Sequence, residues 1–272
     1  MLDFLGFIAL GLFVGTVGTL LGAGGAFLLV PSLLLLFPQA SPAFVTGISL
    51  AVVFFNAGSG SFAYARMGRV DFRSGAMFAA ATIPGAVLGA ITTTILPRRA
   101  FDIIFGVLLA AVSAYLFWRP LRADAGTGPH HGPGRFVRRV VEKDGTVHEF
   151  SYNPWVGVGF SAGVGYLNGL LGIGGGIIHV PVLVQILGFP VHIATATSHF
   201  TLAIMSLAAT LVHLVNGQLA SSAWVIAPLA IGVLVGAQAG ARLSNRVHGV
   251  WIMRGLAAGL GFVGLRILLA AL

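Results

Sequence analysis

The sequence contains no cysteine. That absence removes disulfides, thiolate metal sites and cysteine-based sulfur relay chemistry. Charge is nearly as scarce: Asp, Glu, Lys and Arg make up 8% of the 272 residues, where a soluble globular domain carries about 25%. Acidic residues are the scarcer sign, 7 against 15 basic ones, for a net charge of +8. Asp3, Asp71 and Asp102 stand near the ends of apolar runs and form no carboxylate pair, so no catalytic residues are assigned. The basic residues lie in connections between apolar runs. There they set topology rather than forming a nucleic-acid surface, and no nucleic-acid partner is expected. The start, Met1-Leu2-Asp3-Phe4, lacks the basic region of a signal peptide, and the first apolar run is read as a permanent span.

What is present is apolar sequence in long runs. Hydrophobic residues make up 57% of the chain and the mean hydropathy is +0.97. Runs near the ~20 residues that a helix needs to cross a bilayer, without the alternation of a membrane β-barrel, predict an all-α polytopic membrane protein. In the first half the runs are Leu5–Leu21, Ala26–Phe37, Phe44–Tyr64, Ser74–Leu96 and Phe101–Trp118. In the second they are Trp155–Leu171, Ile177–Leu187, Ile193–Val215, Ala223–Leu243 and Val250–Ala271. The second run of each half is too short to span alone and reads as part of a re-entrant or broken pair. Between the halves, Gly126–Gly134 reads as a linker. Two β-prone stretches around Asp144-Gly145 read as a small hairpin outside the membrane. His130-His131 is too little for a metal site. The organisation expected is a first membrane repeat at 1–119, a cytoplasmic linker with the hairpin at 120–153, and a second repeat at 154–272.

The halves echo one another. Leu21-Gly22-Ala23-Gly24-Gly25-Ala26, with Pro31 after it, matches Leu171-Gly172-Ile173-Gly174-Gly175-Gly176, with Pro181. Thr46-Gly47-Ile48-Ser49 matches Thr195-Ala196-Thr197-Ser198, Tyr64 matches His213, and Gly85 and Gly89 match Gly236 and Gly240. Charge reverses between the copies. Arg66, Arg69 and Arg73 mark the connection between the third and fourth runs of the first half, whereas Arg242, Arg246 and Arg254 mark the connection between the fourth and fifth runs of the second. With the positive-inside rule this predicts two inverted-topology repeats, both termini on the non-cytoplasmic side, and Arg98 and Arg99 as the one discordant pair.

Glycine costs about 1 kcal/mol relative to alanine inside a helix, so consecutive glycines in an apolar run need a reason. Close helix packing accounts for glycines four apart, such as Gly11 and Gly15. The clusters at Gly24, Gly25 and at Gly174, Gly175, Gly176 read instead as helix breaks within the membrane. A break leaves N–H groups unpaired and presents the positive end of a helix dipole, which favours an anion. A phosphate loop does not fit, because no Gly-Lys-Ser/Thr ending follows. Hydroxyls stand in register after each cluster: Thr46 and Ser49, then Thr195, Thr197 and Ser198 beside His199. They can donate to oxyanion oxygens or bond back to their own helix, and both readings stay open. His199 is the strongest candidate for a coupling proton. Asn56, Asn168, Gln185 and Gln238 read as interhelical hydrogen-bonding groups. Asn56-Ala57-Gly58-Ser59-Gly60 departs from the Gly-x-Ser-Gly pattern of an intramembrane protease.

Gly15-Thr16-Val17-Gly18-Thr19-Leu20-Leu21-Gly22-Ala23-Gly24-Gly25 with Pro31, and Gly165-Tyr166-Leu167-Asn168-Gly169-Leu170-Leu171-Gly172-Ile173-Gly174-Gly175-Gly176 with Pro181 and Ala194-Thr195-Ala196-Thr197-Ser198, resemble the sulfite exporter TauE/SafE family. The resemblance implies a secondary carrier that moves a small anion, such as sulfite or an organosulfonate, out across the cytoplasmic membrane. The first copy departs from the pattern at Ala26 and Ile48. On this reading the partners are the anionic substrate, the lipid bilayer and, for coupling, protons. A homo-oligomer stays open, and neither a cofactor nor a metal is expected. A passive anion channel and a membrane-embedded enzyme are the alternatives.

Overall fold

The computed structural model describes residues 2–118, 135–219 and 222–271. The first half forms α1 (Leu2–Leu20), α2 (Ala26–Leu36), α3 (Pro42–Arg66), α4 (Phe72–Thr93) and α5 (Arg98–Trp118). A two-stranded hairpin follows, β1 (Phe136–Val141) and β2 (Val147–Tyr152). The second half forms α6 (Pro154–Leu171), α7 (Gly176–Pro181), α8 (Val191–Val215), α9 (Ala223–Ser244) and α10 (Gly249–Ala271). Six of these, α3, α4, α5, α8, α9 and α10, are long and apolar enough to cross a membrane, and the chain is a multi-pass membrane protein. The linker Gly126–Gly134 with His130-His131 lies outside the described residues.

Local chemistry sets the helix ends. Ser41 Oγ accepts from Phe44 N–H at 3.2 Å, with Pro42 in the first turn. Asn153 Oδ1 accepts from Trp155 N–H at 3.0 Å ahead of Pro154. A proline in a first turn gives up an N–H that has no helical partner anyway. The run Ile177–Leu187 is not one regular helix. After Pro181 it continues as a π turn over Val182–Ile186, where Leu187 N–H bonds to the Val182 carbonyl at 3.0 Å. Proline alone does not account for this, because Pro31 sits inside a regular α2.

Helix partners are exchanged between the halves. α1 packs on α9 and α6 packs on α4; α3 packs on α9 and α8 on α4; α3 meets α8 and α5 meets α10. This scheme is unchanged when each helix is replaced by its counterpart in the other half. Small residues make the seams. A Cβ at Gly15 would sit 2.7 Å from Val233 Cα, and one at Gly232 would sit 2.7 Å from Leu12 N. On the other seam, a Cβ at Gly89 would lie 2.6 Å from Leu170 N and one at Gly169 2.8 Å from Ala90 N. Only glycine lets the backbones approach this closely. The counterparts α3 and α8 run antiparallel. Gly47, early in α3, abuts His213 late in α8, and Gly60, late in α3, abuts His199 early in α8.

The hairpin forms around Asp144-Gly145 as the sequence predicts. Gly145 has φ +88°, and Arg138 is paired with Phe150 across the strands. It is docked rather than free. Phe150 and Tyr152 pack on Phe189, with ring centroids 4.3 and 5.0 Å apart. Arg69 Nε donates to Glu142 Oε2 at 2.6 Å, and Lys143 N–H reaches the Met67 carbonyl at 3.0 Å.

Candidate functional site

The polypeptide leaves helical geometry at both glycine clusters, between α1 and α2 and between α6 and α7. Gly22, Gly24 and Gly25 have φ of +75°, +72° and +81°; their counterparts Gly172, Gly174 and Gly175 have +64°, +69° and +37°. This is left-handed backbone, which costs an L-residue with a side chain roughly 1–2 kcal/mol. The same three positions of each copy need glycine for that reason.

The two loops lie back to back in the centre of the molecule. A Cβ on Gly174 would sit 3.2 Å from the Ala23 carbonyl oxygen and 3.3 Å from both Ala26 Cβ and Val53 Cγ1. A Cβ on Gly176 would run into the Gly22 carbonyl, with Ala23 Cα 2.9 Å away. Each loop also meets the hydroxyl segment of the opposite copy: Gly22 abuts Thr195, and Gly172 abuts Thr46. Val53 of α3 and Leu202 of α8 close on Gly24. The N–H groups of Gly25, Ala26 and Phe27, and those of Ile173, Gly174, Gly175 and Ile177, donate to no acceptor among the described residues. Unpaired buried N–H groups are rare and demand a partner.

All eleven residues singled out from the sequence are buried, but they divide by role. Thr46 Oγ1 donates back to the Pro42 carbonyl at 2.7 Å within its own helix. Ser49 Oγ crosses to the Gly172 carbonyl at 2.7 Å and ties α3 to the second loop. Thr195 Oγ1 and Ser198 Oγ have no partner. Thr197 lies away from the loops, where its Oγ1 accepts from Asp71 N–H at 3.1 Å. His199 Nε2 lies 3.3 Å from Thr19 Oγ1, and its ring stands edge-on to Tyr64 with centroids 5.6 Å apart.

The sequence reading missed the frame around the first loop. Asn56 Nδ2 donates to the Gly24 carbonyl at 3.0 Å, Thr19 Oγ1 donates to Asn56 Oδ1 at 3.1 Å, and Tyr64 Oη donates to the Thr19 carbonyl at 2.8 Å. Asn56 and Gln238 do bond between helices, Gln238 through the Ser59 carbonyl at 2.8 Å. Asn168 and the amide nitrogen of Gln185 have no partner. An amide in an apolar span was the available signal, but nothing local to the sequence separates the paired amides from the unpaired ones.

Beside Thr197, at the entry to α4, sits an ionic cluster. Asp71 takes hydrogen bonds from Ser74 Oγ at 2.5 Å and from Arg138 Nε at 2.9 Å. Burial works to raise the Asp71 carboxyl, but Arg138 and Ser74 outweigh it and hold it below the usual carboxylate range. Tyr152, whose Oη lies 2.6 Å from Ser74 Oγ, is pushed up, chiefly by burial.

A family model described as sulfite exporter TauE/SafE matches residues 7–267. The chain belongs to the TauE/SafE family. This TauE/SafE protein is similar to a curated protein of Bacillus subtilis (strain 168) named "Probable membrane transporter protein YunE". The two are 31% identical over 254 residues, covering 91% of this chain and 90% of the relative. A Methanocaldococcus jannaschii protein, also named a probable membrane transporter protein, is 24% identical over 274 residues, covering 96% and 94% of the two chains. One from Xylella fastidiosa (strain Temecula1), named in the same way, is 30% identical over 239 residues, covering 86% and 82%. No solved structure matches the chain. Membership and fold together make this TauE/SafE protein a membrane transporter.

Proposed function

We propose that this protein is a secondary carrier that exports a small anion, such as sulfite or an organosulfonate, across the cytoplasmic membrane. The observation that carries the reading is the pair of left-handed glycine loops, back to back, several of whose N–H groups (Gly25, Ala26 and Phe27; Ile173, Gly174, Gly175 and Ile177) lack acceptors among the described residues. Broken helices of this kind bind anionic groups through backbone donors without a fixed positive charge. A site without fixed charge can release what it binds.

In this reading the anion lies between the Gly24-Gly25 and Gly174–Gly176 breaks, helped by Ser49, Thr195 and Ser198. Residues 1–119 and 154–272 are inverted repeats, 120–153 is the cytoplasmic connection, and both termini lie outside. The closed centre, with Val53 and Leu202 against the loops, is then an occluded state. Transport in this reading proceeds by alternating access, with rigid bodies moving about the site. The glycine seams join α1 to α9 and α4 to α6, so each rigid body contains helices of both halves. His199 is the proposed proton carrier.

The test is purified protein in liposomes offered sulfite, sulfate, sulfoacetate and carboxylates under a pH gradient. Saturable, trans-stimulated flux of one or more of these anions is expected. Flux without saturation or trans-stimulation would make the protein a passive channel, and turnover in detergent without a gradient would make it an enzyme.

A further inference from the structure

The two glycine loops share a backbone path but not their hydrogen bonds. In the first loop, Ala23 and Gly24 N–H groups donate to the Gly18 carbonyl at 2.9 and 3.1 Å. The Gly24 carbonyl is held in turn by Asn56. In the second loop the Asn168 carbonyl receives only Gly172 N–H, at 2.8 Å. Ile173 and Gly174, the counterparts of Ala23 and Gly24, donate to nothing among the described residues.

The two copies have also exchanged an amide. Copy one has Gly18 on α1 and Asn56 on α3; copy two has Asn168 on α6 and Met205 on α8. Met205 lies on Gly175, its sulfur 3.3 Å from where a Cβ would stand. Both polar atoms of Asn56 are partnered, whereas Asn168 is fully buried with neither Nδ2 nor Oδ1 partnered. A Cβ at Gly18 would run into the Gly24–Gly25 peptide, 2.8 Å from the Gly24 carbonyl carbon. Asn168 stands at the position equivalent to Gly18, so its Cβ leaves α6 on the face turned toward the second loop. The second loop also differs from the first at this point, with φ +37° at Gly175 against +81° at Gly25. Burying an unpaired carboxamide is costly, and at such a site a ligand is the natural partner.

We propose that Asn168, with the N–H groups of Ile173, Gly174 and Gly175, forms the recognition half of the anion site, and that the first loop, whose Ala23 and Gly24 N–H groups are bonded to the Gly18 carbonyl, is its less open counterpart. This rests on the anion-carrier reading above. The donor set defines the ligand. The N–H groups and Nδ2 call for acceptor oxygens, while Oδ1 calls for a donor. A singly charged oxyanion that keeps one hydroxyl, such as hydrogen sulfite, supplies both. A sulfonate without a hydroxyl leaves Oδ1 unpaired, which a site built this way penalises.

The test compares wild type with Asn168→Leu and Asn168→Gly in liposomes, measuring sulfite flux and its inhibition by methanesulfonate at mildly acidic pH. Wild type should prefer sulfite by about tenfold, the worth of one hydrogen bond to a charged ligand. Both variants should raise the KM for sulfite and lose that preference. The thermal unfolding midpoint of Asn168→Leu should stay at or above the wild-type value, because an unpaired buried amide has been removed. A purely structural Asn168 would lower the midpoint and leave the preference intact, and that result overturns the proposal. So does a wild type that prefers methanesulfonate. Glycine is already tolerated at the equivalent position 18, so the Gly variant decides if the Leu variant does not fold. A wild type that carries none of these anions refutes the carrier reading itself. Wild-type flux matched by both variants refutes only the role of Asn168.

Discussion

Arg138 on β1 grips Asp71 at the entry to α4 with two nitrogens, Nε to Oδ2 at 2.9 Å and Nη2 to Oδ1 at 2.5 Å. The same Asp71 donates its N–H to Thr197 of α8. One residue therefore joins the hairpin, the first half and the second. Asp71→Ala should leave Arg138 partly buried without a partner, at a cost of about 1.5–3 kcal/mol. The measurement is thermal unfolding in detergent, and an unchanged midpoint would show that the pair contributes nothing.

The Asp71 pair also sets a pH dependence. Folding holds its carboxyl below the ordinary value of 3.8. The stabilisation is therefore fully present above that value and is lost as the pH falls through the lowered one. Stability measured from neutral to acid pH should decline less steeply for Asp71→Asn than for wild type. An identical acid limb in both proteins would contradict this.

Gly174→Leu and Gly175→Leu should abolish transport while the protein still inserts. Both backbones are left-handed, and a side chain on Gly174 would press on Ala23, Ala26 and Val53. Flux and membrane yield should be measured together. Normal flux in both variants would remove the glycine loops from the mechanism.

His199→Gln keeps a hydrogen-bonding side chain near Thr19 but cannot carry a proton. Flux should persist and lose its dependence on the pH gradient. If the flux still follows the gradient as in wild type, His199 is not the coupling residue.

Asn56→Leu strips the Gly24 carbonyl of its side-chain donor and the Thr19 hydroxyl of its acceptor. It should cost about 1–3 kcal/mol of stability without changing which anion is preferred. A shift in selectivity with unchanged stability would reverse the roles given to Asn56 and Asn168.

The amino-acid sequence by itself determined the apolar runs, the two breaks and the hairpin turn. Each depends on neighbours close in the chain. Bilayer-length hydrophobicity, the helix cost of consecutive glycines and the Asp144-Gly145 turn are local properties. It also carried the pairing of the halves, because counterparts such as Gly24 and Gly174 recur in register. Only the tertiary structure decided how equivalent-looking polar residues differ. Thr46 bonds within its own helix, Ser49 bonds across to Gly172, and Thr197 serves Asp71, which is distant in the chain. Asn56 and Asn168 are the same amide in similar apolar surroundings. What separates them is whether a carbonyl and a hydroxyl from another segment arrive within hydrogen-bonding reach, and the packing of non-adjacent helices sets that. The glycine stretch Gly172–Gly176 was legible as a break from propensity alone. That it leaves Ile173 and Gly174 N–H groups open, where its twin bonds Ala23 and Gly24 to the Gly18 carbonyl, is decided only by the folded backbone, because the two stretches read alike in sequence.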